Sequence, residues 1–456
     1  MLALGLGLAR LGHNDIWFDE AASYFFARFG GLDFFRVLMR EDTHGPLYYG
    51  LLRLSTLLVG EGPWAGRMPS VVCATGAVVV IAFLGARLFC RKVGLAAAVV
   101  VALSPFHIYY AQQVRFYSFI EFLAALQVYC FVELLAPAPQ DPDATRSVRG
   151  SWWGFVLAGA ACLWTYYLSG LVLAAEAVVA LALWRSIEKR RMLLAFAAIA
   201  LLWAPWVPAM IWQARHTHGS IAWIKDRSTL DFLAEVYQTF VVGRGLQWIG
   251  VVLAPILLVG AAVALMDAAV GRMRGRLLLA GWFLLPLTAV LVISLRKALY
   301  ESRYLMMILP AFFLLAVAGI FRVRARWLRG LLLLAVVAGL AAADVHHYTR
   351  FNTNERWNEV ATYLRGRVQE NDVLVAAPSH EIATLAYYFP GLTARGAERA
   401  SHVTGHLASG RPVWLISKLP EHAELRRQVA VRYLEVSSRD FGSLNVTSYL
   451  PRPPRA

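Results

Sequence analysis

His13-Asn14-Asp15-Ile16-Trp17-Phe18-Asp19-Glu20 opens a polar stretch that closes with Thr43-His44-Gly45-Pro46. Asp15, Asp19, Glu20, Asp33, Glu41 and Asp42 lie in it, with aromatic residues between them. From there to Asp344 the chain is mostly long apolar runs with few carboxylates. Two adjacent acids in a loop ahead of such runs point to acid–base or cation chemistry beside a membrane.

The composition supports that membrane. Of 456 residues, 59% are hydrophobic and 16% charged, and the mean hydropathy is +0.54. A soluble protein carries roughly a quarter charged residues, whereas a hydrocarbon core of about 30 Å asks for repeated apolar runs near 20 residues. The chain therefore reads as a polytopic α-helical membrane protein. Its net charge of +15 does not imply nucleic acid, because much of it sits in short connections on one side of the inferred membrane. Cys73, Cys90, Cys130 and Cys162 fall inside apolar runs without metal-ligand spacing, so they read as small core residues.

Apolar segments follow Met1 to Gly12 at 46–60, 66–89, 93–109, 117–135, 152–167, 169–184, 191–212, 246–266, 277–295, 303–321 and 327–343. Met1 to Gly12 is too short to span and reads as the end of a truncated first helix. Arg87, Arg91 and Lys92 mark one cytoplasmic turn, and Arg146 with Arg149 a second. Arg185, Lys189, Arg190 and Arg191, then Arg272, Arg274 and Arg276, then Arg322, Arg324, Arg326 and Arg329 mark the others. This parity works if 46–60, with Arg53 inside it and Tyr48 and Tyr49 at its start, lies flat at the interface. The expectation is about eleven transmembrane helices, with interfacial helices in the first external loop (13–65) and both 213–245 and the C-terminus outside.

After Asp344 the pattern changes. Trp357 to Leu364 has helical period, and Val373 to Ala377 and Val413 to Ser417 read as strands. Residues 346–456 are expected to form a small α/β extracytoplasmic (periplasmic) domain without a Gly-rich phosphate loop, set against a membrane domain of 1–345.

Asp19-Glu20-Ala21-Ala22-Ser23-Tyr24 resembles the first-loop signature of membrane glycosyltransferases of the GT-C fold. The closest branch is glycosyltransferase family 39, the protein O-mannosyltransferase, aminoarabinose-transferase and Rgt-like group. Four further stretches resemble it in order: His44-Gly45-Pro46-Leu47-Tyr48-Tyr49, Arg67-Met68-Pro69-Ser70, Gln113-Val114-Arg115-Phe116-Tyr117 and Ser302-Arg303-Tyr304-Leu305. Gly45 stands where the family has proline, and Ser302 where it often has Glu, with Glu301 adjacent. The resemblance covers about 1–345. It implies an inverting hexosyl- or pentosyl-transferase that moves a sugar from a polyprenyl-phosphate donor to a lipid, glycan or protein acceptor. The setting it implies is the bacterial cytoplasmic membrane, with the active site on the extracytoplasmic side.

Such a displacement needs a base for the acceptor's proton and positive charge for the departing phosphate. Asp19 is the candidate base. Glu20 either orients it or holds a divalent cation, the one cofactor this reading leaves open. Both acids also suit the positive end of a helix over 21–29. Arg115 and Arg303 are candidate phosphate clamps, since a guanidinium binds phosphate oxygens in bidentate fashion, although helix-end arginines also snorkel. Tyr117 and Tyr304 can add hydroxyls, and Lys225 or Arg227 can do the arginines' work. His44 contacts phosphate, ligates a metal with Glu41 or Asp42, or is structural. His216 and His218 are a weaker pair, and Glu176 is an intramembrane acid with either a functional or a paired interhelical role. Two other functions compete, a flippase or transporter of a lipid-linked sugar and a glycan polymerase or ligase. The sequence lacks the matched broken helices of a transporter.

Overall fold

A computed structural model describes residues 1–135, 142–216, 228–243, 245–266, 273–296, 299–350, 355–369, 372–390, 394–396, 411–418 and 423–451. The chain forms two compact units. One is Met1–Ala9 with Gly30–Phe351, and the other is Arg10–Phe29 with Asn352–Ala456.

The chain begins with α1 (Leu2–Leu8), α2 (Phe18–Arg28), α3 (Gly31–Glu41) and α4 (Leu47–Val59). Then come α5 (Pro63–Leu88), α6 (Arg91–Ala102), α7 (Pro105–Ala111), α8 (Tyr117–Leu134) and α9 (Pro142–Thr165). After these lie α10 (Gly170–Ala182), α11 (Lys189–Trp203), α12 (Val207–His216) and α13 (Thr229–Val242). The helical part closes with α14 (Gln247–Met266), α15 (Met273–Ser294), a 3₁₀ segment Ser302–Ile308, α16 (Leu309–Ile320) and α17 (Arg326–Arg350). Among the described residues, seven helices are long and apolar enough to cross a membrane, or eight when the bent pair α6–α7 counts as one span. The other expected spans appear as α1, of 7 residues, and as α9 and α10, of 24 and 13. With 13 residues, α4 rises about 20 Å, short of a hydrocarbon core and suited to an interface.

Phe83, Val251, Leu258, Val292 and Leu334 stand on open faces of these helices. Apolar surface of that kind fits lipid and would be a liability in water. Inside the bundle, α14 and α16 touch backbone to backbone: a Cβ on Gly319 would lie 1.8 Å from the Gly260 carbonyl oxygen, so the crossing requires glycine. The expected 93–109 span is bent by 64° between α6 and α7. Pro105 disfavours helical backbone in the residue before it. Ser104 there caps α7 and donates its hydroxyl to the Phe240 carbonyl of α13 at 2.8 Å. Helix α13 itself lies inside the expected external loop 213–245 and is capped by Ser228, whose Oγ accepts from Asp231 N at 3.1 Å.

In the second unit α18 (Trp357–Leu364) precedes β1 (Val373–Ala377), α19 (Ile382–Tyr388), β2 (Ala394–Gly396) and β3 (Val413–Lys418). Helix α20 (Ala423–Arg432) and the antiparallel strands β4 (Leu434–Phe441) and β5 (Leu444–Leu450) complete it. The sheet order is β2-β1-β3-β5-β4, with β2, β1 and β3 parallel. One core gathers Trp357, Val360, Leu364, Leu385 and Phe389 with the sheet residues Leu374, Ile416 and Val446. A second gathers Leu425 and Val429 with Val373, Val375, Val413, Leu415 and Tyr449. Strands buried on both faces give the uninterrupted apolar run seen in β1. The expected helix at 357–364 and the two expected strands are all present. Helix α2 packs on α19 within this unit.

Candidate functional site

In the helical unit four of the five motifs converge. Pro69 lies inside α5 and cannot donate to the Ala65 carbonyl; Ser55 Oγ of α4 donates to that oxygen instead, at 3.3 Å. The next residue, Ser70, sits with its hydroxyl 2.7 Å from the Gln113 carbonyl and 3.2 Å from that of Arg115. Gln112 Nε2 reaches the Ala9 carbonyl at 2.7 Å. The turn that carries Arg115 is thus fastened on two sides. Arg115 is buried, with its guanidinium carbon 5.3 Å from the Phe116 ring centre and 5.8 Å from that of Tyr117.

His44 packs on the same turn, its ring 4.6 Å from Phe116 and stacked at 5.9 Å on Tyr166. Its Nδ1 is 2.9 Å from Asp42 Oδ1, which also accepts from Thr43 N at 2.7 Å. Burial would raise the Asp42 pKa. The His44 pairing outweighs it, helped by the Tyr49 hydroxyl and the Arg115 charge, and holds the carboxyl at about 2. The departure from the family at Gly45 has a local cause. Gly45 N donates to the Thr165 carbonyl at 3.2 Å, and a Cβ there would lie 2.0 Å from the Trp164 carbonyl oxygen. Proline could neither donate nor fit.

Arg303 is the second residue of the 3₁₀ segment, and its Nε is 3.4 Å from Glu301 Oε1. Tyr304 faces Tyr166 at 6.3 Å between ring centres. Tyr166 in turn lies 5.2 Å from Phe116. Contacts therefore run from Asp42 and His44 through Phe116 and Tyr166 to Tyr304, with both arginines alongside. Beside Glu301 and Ser302 is a cavity of about 430 Å³, walled also by Phe106, Tyr109, Glu235 and Gln238. Next to Tyr167 is an apolar cavity of about 310 Å³, walled by Leu163, Leu173, Phe196 and Trp203.

Asp19 and Glu20 lie in the second unit, in the first turn of α2, where the helix dipole favours acids. Glu20 is fully buried. The segment ahead of them is tied to the C-terminal fold: Ile16 N donates to Tyr388 Oη at 2.9 Å, and Phe18 packs on His380 at 4.6 Å. Asp15 accepts from Asn358 N at 2.9 Å and from its side-chain amide. It thereby caps α18, whose own cap residue, Arg356, makes no side-chain cap bond.

Other expectations resolve locally. Glu176 accepts from Gln127 Nε2 at 2.5 Å, the paired interhelical alternative. His216 stacks on Trp212 and bonds its carbonyl, while His218, Lys225 and Arg227 lie outside the described residues. Among the described residues no group of three or more His, Cys, Asp or Glu is arranged for a metal ion, and all four cysteines are free. Sequence reasoning passed over the buried His107–Glu121 pair, at 2.9 Å, and Tyr166. It named Asp42 only as a metal partner of His44. The Asp42-Thr43-His44 spacing was the available signal for that pair; nothing local marks Tyr166.

Residues 43–212 match the family described as dolichyl-phosphate-mannose-protein mannosyltransferase. That range holds His44, Ser70, Arg115, Tyr117 and Tyr166. No curated protein sequence matches the chain. Among solved structures the chain is similar to ArnT from Cupriavidus metallidurans in the apo state, with a TM-score of 0.67 and 15% identity, over 98% of this chain and 96% of that one. The same protein bound to undecaprenyl phosphate gives 0.66 and 14%, over 98% and 96%. The oligosaccharyltransferase AglB from Archaeoglobus fulgidus, in complex with an inhibitory peptide and a dolichol-phosphate, gives 0.53 and 10%, over 90% of this chain and 66% of that one. The GT-C fold expected from the five motifs is the fold of this chain.

Proposed function

We propose that this GT-C-fold chain is a membrane glycosyltransferase that moves a sugar from a polyprenyl-phosphate donor to a lipid, glycan or protein acceptor on the outer face of the membrane. The acceptor attacks the anomeric carbon, the bond from that carbon to the phosphate oxygen breaks, and polyprenyl phosphate leaves with the bonding pair. Asp19 takes the acceptor's proton, and Glu20 orients Asp19. Arg115 and Arg303 hold the phosphate, with Tyr117, Tyr304 and His44 around them. Direct attack inverts the anomeric configuration. A divalent cation at Glu20 or His44 remains an addition to this scheme and no step of it depends on one.

The observation that carries this reading is the convergence of His44, Arg115 and Tyr304 on one aromatic cluster from motifs far apart in sequence, with Arg303 next to Tyr304 and near enough to Tyr166 for its charge to act on that hydroxyl. The two cavities support it. The one beside Glu301 offers the aromatic faces and planar polar groups that a sugar uses, and the apolar one beside Tyr167 suits an isoprenoid chain. Residues 346–456, taken as a separate outer domain, are proposed to serve acceptor selection.

The test is reconstitution with radiolabelled polyprenyl-phosphate sugar. Turnover by the wild type, abolished in Asp19→Asn with the protein still folded and inserted, supports the transferase. Scrambling of the lipid without a glycoside product would make the chain a flippase, and processive products would make it a polymerase or ligase.

A further inference from the structure

Tyr166 marks the point where α9 stops. Its backbone is extended, with φ −150° and ψ 114°, and is held from both directions. Tyr166 N donates to the Cys162 carbonyl at 2.8 Å, and the Tyr166 carbonyl accepts from Ser169 N at 3.0 Å and from Ser169 Oγ at 2.6 Å. The ring is fixed as firmly by His44, Phe116 and Tyr304. Only 5% of the residue is exposed.

Its hydroxyl is anomalous. Among the described residues the buried Tyr166 Oη has no hydrogen-bond partner, although a buried phenol ordinarily finds one. Neighbouring Tyr167 does so twice, donating to Gln213 Oε1 at 2.6 Å and accepting from Trp206 Nε1 at 2.8 Å. A pinned ring with an unsatisfied O–H, in a cluster that also contains two guanidinium groups, has the chemistry to recognise an anionic oxygen.

We propose that Tyr166 donates a hydrogen bond to a non-bridging oxygen of the donor's phosphate, a role that rests on the transferase reading above. The donor is a phosphodiester with one negative charge, and the leaving polyprenyl phosphate is a monoester that gains a second. A hydrogen bond to that group strengthens as the carbon–oxygen bond breaks, so the contact favours the transition state over the ground state. Tyr166 keeps its proton throughout.

Tyr166→Phe in the full-length chain, purified in detergent, removes the hydroxyl and keeps the ring. The probe is undecaprenyl phosphate, with the neutral alcohol undecaprenol as its control. Loss of a hydrogen bond to a charged group predicts affinity for the phosphate about 10- to 100-fold weaker, unchanged affinity for undecaprenol, and a melting temperature without ligand no lower than wild type. Wild-type affinity of the variant for undecaprenyl phosphate overturns the inference, and so does an equal loss for the phosphate and the alcohol, which marks a packing defect. Arg303→Ala separates this from the parent reading. If Arg303→Ala loses phosphate affinity while Tyr166→Phe does not, only the Tyr166 role fails; if the wild type itself does not distinguish phosphate from alcohol, the transferase reading fails with it.

Discussion

Replacing Gly45 with alanine or proline tests whether the segment 43–46 is wedged against the end of α9. In the native chain the Gly45 backbone nests over Trp164 and Thr165, and an added Cβ would stand 2.0 Å from the Trp164 carbonyl oxygen and 2.4 Å from its carbon. Ordinary contact needs more than 3 Å, so the two segments must part by about 1 Å. Overpacking of this kind costs about 1–3 kcal/mol. Proline adds loss of the Gly45 N–H bond to the Thr165 carbonyl, about 1 kcal/mol more. The strain falls between His44, one residue before Gly45, and Tyr166, one residue after Thr165, and it unstacks their rings. The measurements are thermal unfolding in detergent and affinity for undecaprenyl phosphate. Alanine should lower both, and proline should lower both further even though it restores the residue found in the resembled family. Wild-type unfolding and binding in Gly45→Pro would refute the close approach and, with it, the account of why His44 is held where it is.

Two more perturbations read the structure elsewhere. Asp15→Ala uncaps α18 at a cost of about 1 kcal/mol, which makes local opening of the tied segment about fivefold more frequent; hydrogen exchange across Arg10–Phe29 should rise, and unchanged exchange there would mean the cap does not hold the segment that carries Asp19. Asp42 has a carboxyl pKa depressed to about 2, so its contribution, about 2 kcal/mol, is complete above its unfolded pKa near 4 and is lost as pH falls through 2. Asp42→Asn should be less stable at neutral pH and show a flatter decline in melting temperature between pH 5 and 2; an identical pH slope in the two proteins would contradict the pairing with His44.

The long helices were legible because burial in hydrocarbon demands uninterrupted apolar runs, and the strands of the second unit because sheets buried on both faces do the same. Where the chain leaves a helix was harder to read. Pro105 announces the α6–α7 bend, yet the hydrogen bond from Ser104 to Phe240 that fixes it joins residues far apart in sequence. Helix α13 falls where the apolar pattern predicts only a loop, although Ser228 and Asp231 carry a helix-start signal. The clustering of Arg10–Phe29 with the C-terminal unit rests on Asp15–Asn358 and Ile16–Tyr388, pairings that no periodicity encodes. In the candidate site, His44, Arg115 and Arg303 carry motif signals in the sequence. Tyr166 escaped because its distinction is a missing partner, a property only of three dimensions.

Those helix exits share a physical logic. Irregular backbone buried away from water leaves amide and carbonyl groups that must be satisfied by the protein around it. Arg115 comes from the turn between α7 and α8, Tyr166 from the gap between α9 and α10, and Arg303 from the 3₁₀ segment before α16. Each exit is stitched to other elements: the first by the Ser70 hydroxyl of α5 and by Gln112 Nε2 donating to the Ala9 carbonyl, the second by Gly45 N–H against Thr165 beside it, and the third by Trp282 Nε1 donating to the Met307 carbonyl at 2.9 Å. Three such interruptions meeting in one aromatic cluster are costly for a bundle whose only task is to fill a membrane. They are what a bundle requires if it is to present charged and hydroxyl groups to a phosphate on a lipid.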